Sequence, residues 1–144
     1  IRIKLEIDTT PLAGAQYETK YSFLPAGYAV KLLDEPSMFA SKLHALLCRP
    51  YTKGRDYYDY LFYIQHDTPV NLILLENAMK QTGHLESDRI LTFTLLRELL
   101  METFENADYD ACRKDIMRFI RDPDEIRFWS KELFQASTEH LKQD

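Results

Sequence analysis

Apolar and polar residues alternate without a break through the first eight positions. Ile1, Ile3, Leu5 and Ile7 fall on one side, Arg2, Lys4, Glu6 and Asp8 on the other. A period of two predicts a half-buried strand whose outer face is wholly charged. Thr9-Thr10-Pro11 ends it. Gly14, Pro25 and Gly27 punctuate residues 12–28, which predicts a loop with a short strand around Tyr21–Leu24, and Tyr28–Leu33 forms a second apolar strand. From Pro36 onward the period becomes helical. Phe39, Leu43, Leu46 and Leu47 recur as one stripe, with Ser37 placed to cap the helix and Pro50 to close it. Thr52-Lys53-Gly54 predicts a turn and about Asp56 to Gln65 a second helix. After the break at Asp67-Thr68-Pro69, helices are expected over about 70–82 (ended by Gly83), 88–105, 109–121 and 124–141, with Asp122 able to cap the last. The fold class is α+β: a strand-bearing region over 1–35 and a predominantly helical lobe over 36–144. No internal repeat is visible.

Composition narrows this picture only a little. The 144 residues are 45% hydrophobic and 28% charged, enough to bury a core. A formal charge of −5 argues against a surface that is basic all over, while leaving room for a local cationic site. The apolar runs are far shorter than the ~20 residues of a membrane span. Cys48 and Cys112 lie far apart in apolar helical contexts and make no disulfide framework, so a reducing cytoplasm is the expected compartment. The chain opens at Ile1 inside a strand pattern, which reads as the C-terminal part of a longer protein.

Candidate chemistry begins on the first strand. Glu6 and Asp8, at i and i+2, share one face, and such hard oxygen ligands build divalent-metal sites for phosphoryl or nucleotidyl transfer; by spacing alone the plainer reading is a solvated outer face balanced by Arg2 and Lys4, common in antiparallel sheets. On the following helix Lys42 and Arg49 lie on one flank of the buried stripe, beside the small Ala45. A lysine there reaches into a cleft while its stem stays packed, or simply snorkels to solvent. Between Pro36 and Arg55 there is no Asp or Glu, whereas Lys42, Arg49, Lys53 and Arg55 are all present. Such a cationic stretch in an acidic chain suits a triphosphate or an RNA backbone. In Arg55-Asp56-Tyr57-Tyr58-Asp59 the two carboxylates repel unless a cation joins them. Lys42 is in position to reach across from the preceding helix. The plainer alternative is a capping Asp56 with an Arg55–Asp59 surface pair. Tyr57, Leu61 and Ile64 are expected to be core, with Tyr58 and Tyr60 at its edges, and Trp129, Phe128 and Phe134 to pack the last helix. His44 faces away from Lys42; His66, His84 and His140 fall at helix ends or in turns.

In this order IKLEIDTTP, KLHALLCR and KGRDYYDY resemble the AbiEii/AbiGii-type toxins, a family of minimal nucleotidyltransferase-like proteins. Residues 1–66 carry the resemblance. Lys42, Ala45 and Arg49 match the family's KxxAxxxR helix, Arg55, Asp56 and Asp59 its RDxxD motif, and Glu6, then Asp8, its strand carboxylate. No Gly-Ser followed by paired aspartates occurs in these 144 residues, so the strand region is expected to be the edge of a truncated nucleotidyltransferase-like sheet, and this chain by itself to be inactive. The resemblance implies that the full-length protein transfers NMP from an NTP to an RNA or protein acceptor. Lys42, Asp56 and Asp59 would be catalytic; Arg49, Lys53 and Arg55 would bind substrate; Glu6 and Asp8 would hold Mg2+. It further implies a nucleoside triphosphate such as GTP, a tRNA acceptor, a cognate antitoxin encoded beside it as in a type IV-like toxin–antitoxin system, and neither membrane nor DNA. Two alternatives stand beside it: a non-catalytic module that binds nucleotide, RNA or antitoxin, and a helical interaction domain whose charges are surface salt bridges. The enzyme reading requires Lys42, Asp59 and the charged strand face to converge on one cleft, with the partners of the strand at 1–8 largely missing.

Overall fold

The structure, a computed structural model, describes residues 3–4 and 11–143. The expected strand over 1–8, and with it the question of its sheet partners, lies outside the described residues. The fold is α+β. Strands β1 (Tyr17–Ser22) and β2 (Tyr28–Leu33) form an antiparallel hairpin in which Tyr17 faces Leu33 and Ser22 faces Tyr28. β2 has its expected bounds. β1 runs earlier than the expected Tyr21–Leu24, because pairing with β2 extends it back to Tyr17 and leaves Phe23 and Leu24 in the connection.

Helix α1 spans Glu35–Cys48 and is capped by Asp34, whose side chain accepts from Ser37 N at 3.0 Å. Ser37 is therefore not the cap. It is buried one turn inside, where its Oγ accepts from Gln16 N at 3.1 Å and from Asn71 Nδ2 at 3.0 Å. Pro36 fits the first turn, where no N–H is needed. Helix α2 covers Gly54–Gln65, starting two residues before Asp56. The two-residue β3 (Pro69–Val70) leads into α3 (Leu72–Gln81), capped by Asn71. Gly83 follows at φ +75°, a conformation that favours glycine. Helix α4 is Phe93–Glu105, later than the expected start at 88, since Thr92 provides the cap. Helix α5 is Tyr109–Ile116, ending before the expected 121 as Phe119 N turns back to Ile116 O at 2.8 Å. The expected helix over 124–141 is broken into a 3-10 turn at Pro123–Ile126, helix α6 (Lys131–Ser137) and a second 3-10 turn at Thr138–His140. Ser130 starts α6 afresh by accepting from Leu133 N, and Asp122 caps the first turn instead. β4 (Lys142–Gln143) then pairs in parallel with β3.

Helix α2 runs at the centre of the core. Its buried stripe is Tyr57, Tyr60 and Tyr63, not Tyr57, Leu61 and Ile64 as expected; Leu61 and Ile64 are half-buried and Tyr58 is exposed. The stripe follows the i, i+3, i+6 positions because aromatic partners wait on that side. Tyr60 lies 5.1 Å from Phe104, Tyr57 5.3 Å from Phe134, and Tyr63 stacks on Phe39 at 4.8 Å. Each such pair adds about 0.5–1.5 kcal/mol beyond its buried area. The buried Tyr60 hydroxyl accepts from Ser137 Oγ at 3.0 Å. On α1, Phe39, Ala40, Leu43 and Leu46 are buried, with Leu47 half-buried. Trp129 and Phe134 join the core, whereas Phe128 is 73% exposed, contrary to its expected packing. Ile126 and Trp129, three apart, point inward and leave Phe128 outside.

Candidate functional site

One flank of α1 and the first turns of α2 face each other across a cleft of about 650 Å³. Lys42 and Arg49, two helical turns apart, both line it. Ala45, between them, and Ser41, beside Lys42, are the small side chains of this lining. The α2 side contributes Lys53, Arg55, Asp56 and Asp59, and Ile116 and Phe119 from the end of α5 form the far wall. Four cations against two carboxylates make this a positive recess in an acidic chain.

Two cross-helix ion pairs organise it. Lys42 Nζ reaches Asp59 Oδ2 at 2.8 Å, as the sequence led one to expect, with both side chains partly exposed. Arg49 Nη1 lies 2.7 Å from Asp56 Oδ2. Asp56 is buried, and burial pushes its carboxyl above the usual aspartate range, with Arg49 and then Lys53 pulling it back. The Arg49 contact is ionic without the alignment of a hydrogen bond, so a buried N–H of this guanidinium has no acceptor in line.

Arg55 does not pair with Asp59. Its guanidinium lies over the Phe119 ring at 5.1 Å, because Lys42 already occupies Asp59 and the turn after α5 offers an aromatic face. Nor is Asp56 the cap of α2. Lys53 holds that position and its carbonyl accepts from Asp56 N at 2.9 Å, while Gly54 N donates across to Asp115 Oδ2 of α5 at 3.0 Å. Gly54 permits this approach: a Cβ there would lie 2.1 Å from Cys112 O. Gly54, Asp115 and Phe119 escaped sequence reasoning. The glycine inside Lys53-Gly54-Arg55 was a legible signal of close approach, whereas nothing local marks Asp115 or Phe119 as its partners.

Glu6 and Asp8 lie outside the described residues. Among those described, no three His, Cys, Asp or Glu side chains are grouped to hold a metal ion. Burial pushes the Cys48 thiol up to about 11 and Cys112 to about 12, which favours the neutral thiol at both. His44 turns away from the cleft to Thr82 Oγ1 at 3.0 Å, which His84 also meets at 2.9 Å. His66 closes α2 on the carbonyl of Phe62.

A family model described as nucleotidyl transferase AbiEii toxin, Type IV TA system, matches residues 1–136. No curated protein and no solved structure matches the chain. No helix among the described residues is long and apolar enough to cross a membrane.

Proposed function

The chain belongs to the AbiEii nucleotidyl transferase toxin family of type IV toxin–antitoxin systems, and from that premise we propose that the cleft between α1 and α2 binds the triphosphate of a nucleotide whose NMP the full-length protein transfers to an acceptor. The observation that carries the proposal is the convergence of Lys42, Arg49, Lys53 and Arg55 on one recess although the chain as a whole is acidic. Lys42 supplies a point charge against the α-phosphate as negative charge builds there, and Asp59 holds its ammonium in place. Arg49 offers a planar fork to non-bridging oxygens, fixed from behind by Asp56. Asp56 and Asp59 thus position cations. They do not fit a metal-holding role, each being committed to a basic partner. Mg2+, when bound, supplies Lewis-acid neutralisation of the triphosphate; Glu6 and Asp8 are its proposed holders. GTP as donor, a tRNA end or a protein as acceptor, a cognate antitoxin as partner and a cytoplasmic location complete the reading.

Growth on induction of the full-length protein tests it. Lys42→Ala and Asp59→Ala are the informative variants because their pair is partly exposed and worth only ~0–1 kcal/mol of stability. Removing one charge-stabilising donor costs ~10²–10³ in rate, so both variants are expected to lose toxicity while their circular dichroism and melting curves stay near wild type. Folded variants that remain fully toxic would return the cleft to a non-catalytic binding role.

A further inference from the structure

Next to the cationic cleft lies a second recess of about 300 Å³, lined by Tyr58, Leu61, Phe62, Gln65, Glu125 and Trp129. The two share a wall, Tyr58. Along α2 the residues Tyr58, Leu61, Phe62 and Gln65 continue the stripe that begins with Arg55 and Asp59, so the second recess runs from beside the Lys42–Asp59 pair to about two turns, ~9 Å, beyond it. Its volume is at the lower end of the ~300–1,000 Å³ of small-molecule sites. Its character differs from its neighbour's: three aromatic rings, one carboxylate, one amide and no cation.

We propose that this slot is the nucleobase subsite of the nucleotide whose phosphates occupy the cationic cleft, with Phe62 and Tyr58 as stacking surfaces and Glu125 as the acceptor for an amino group of the base. The inference rests on the phosphate reading of the neighbouring cleft. Phe62 is 46% exposed and Tyr58 36%, which leaves aromatic surface in the slot for a base to stack on, although the Phe62 ring also meets that of His66 at 4.2 Å. Tyr58 is held in place: its hydroxyl donates to Glu125 Oε2 at 3.1 Å, and its ring leans on Trp129 with centroids 6.5 Å apart. That bond uses Oε2 and leaves Oε1 of Glu125 to accept from the base. Adenine, guanine and cytosine each present an exocyclic amino donor. The N–H of uracil is flanked by two carbonyl oxygens that a carboxylate repels, so UTP is the disfavoured nucleotide. Gln65 supplies donor and acceptor together and discriminates less.

Trp129 lines the slot and is the chain's one tryptophan, so its fluorescence reports on occupancy directly. The experiment titrates the purified full-length protein with ATP, GTP, CTP, UTP and inorganic tripolyphosphate, reading as Trp129 emission the signal that Trp129→Phe removes and, by calorimetry, affinity. Amino-bearing nucleotides are expected to quench Trp129 and to bind about tenfold or more tighter than tripolyphosphate, which leaves the emission unchanged. Phe62→Ala should cancel that advantage without altering tripolyphosphate affinity, and Glu125→Gln should erase the discrimination against UTP. Both positions are exposed, and circular dichroism and a melting curve on each variant check its fold. Equal affinity for nucleotides and tripolyphosphate with a silent Trp129 would overturn the base subsite and leave the phosphate cleft standing. An advantage that survives in both variants would place the base elsewhere, and equal binding of UTP by the wild type would remove Glu125 from its role. If neither nucleotide nor tripolyphosphate binds, the phosphate reading fails and the base subsite with it.

Discussion

Gly54 is the residue on which the cleft depends most and to which no chemistry attaches. It sets the backbone of α2 against that of α5 and hands its N–H to Asp115, so that Phe119 arrives opposite Arg55. Gly54→Ala puts a methyl group 2.1 Å from the Cys112 carbonyl and 3.2 Å from Ile116 Cβ, contacts that only a shift of one helix relieves. The expected cost is about 1–3 kcal/mol, in the range of overpacked cores, read as a melting temperature lower by roughly 5 °C. A wild-type melting curve for the variant would show that α5 moves freely. Asp56 and Asp59 illustrate why residue-scale roles are only partly legible in sequence. Their spacing predicts that a cation joins them. Which cation meets which carboxylate depends on how α1 crosses α2, and Arg55, the nearest in sequence, turned out to serve Phe119 instead.

At the scale of elements, the helices bounded by proline and glycine breaks were legible: α1, α2 and α3 lie close to their expected places, as does β2. The failures occur where tertiary bonds decide. The segment between Gly83 and Thr92 has helix-compatible residues, yet Leu91 N donates to Glu76 Oε2 at 2.7 Å, which ties this connection to α3 and delays α4. Glu76 also accepts from Lys80 at 2.9 Å. Those bonds, Lys80's first and then that of Leu91 N, hold the Glu76 carboxyl below the usual glutamate range. With the folded value below the unfolded one, the stabilisation is complete above the unfolded value and is lost as pH falls through the folded one. Stability measured against pH should therefore fall more steeply on the acid side in the wild type than in Glu76→Gln. Parallel curves for the two proteins would deny Glu76 this part. The broken 124–141 stretch failed for the same kind of reason, since Ser130 caps a new helix after Trp129 has turned into the core.

For the whole molecule, net charge and site charge have opposite signs. The formal charge of −5 repels anions at a distance, while four cations in the cleft attract them on arrival. Raising salt screens the partly exposed cations more than it relieves the general repulsion. Tripolyphosphate is thus expected to raise the melting temperature at low ionic strength by the binding it adds to the folded state, and to lose most of that effect near 1 M salt, where the Debye length is ~3 Å. Melting curves with and without the anion at both salt levels measure this, and an effect that persists undiminished would mean the anion binds where the cleft charges are not.

The far wall of the cleft also has a consequence in time. Lys42, Arg49 and Asp59 come from α1, its C-terminal cap and α2, but Ile116 ends α5 and Phe119 follows it, both made well after them. On a ribosome the first helical pair emerges with its cations facing open water, and the recess acquires its third side only once α5 has left the exit tunnel and found Gly54. The cleft is therefore completed only after its basic groups have emerged, and a nascent chain stalled before α5 carries every one of them without the enclosure that gathers them.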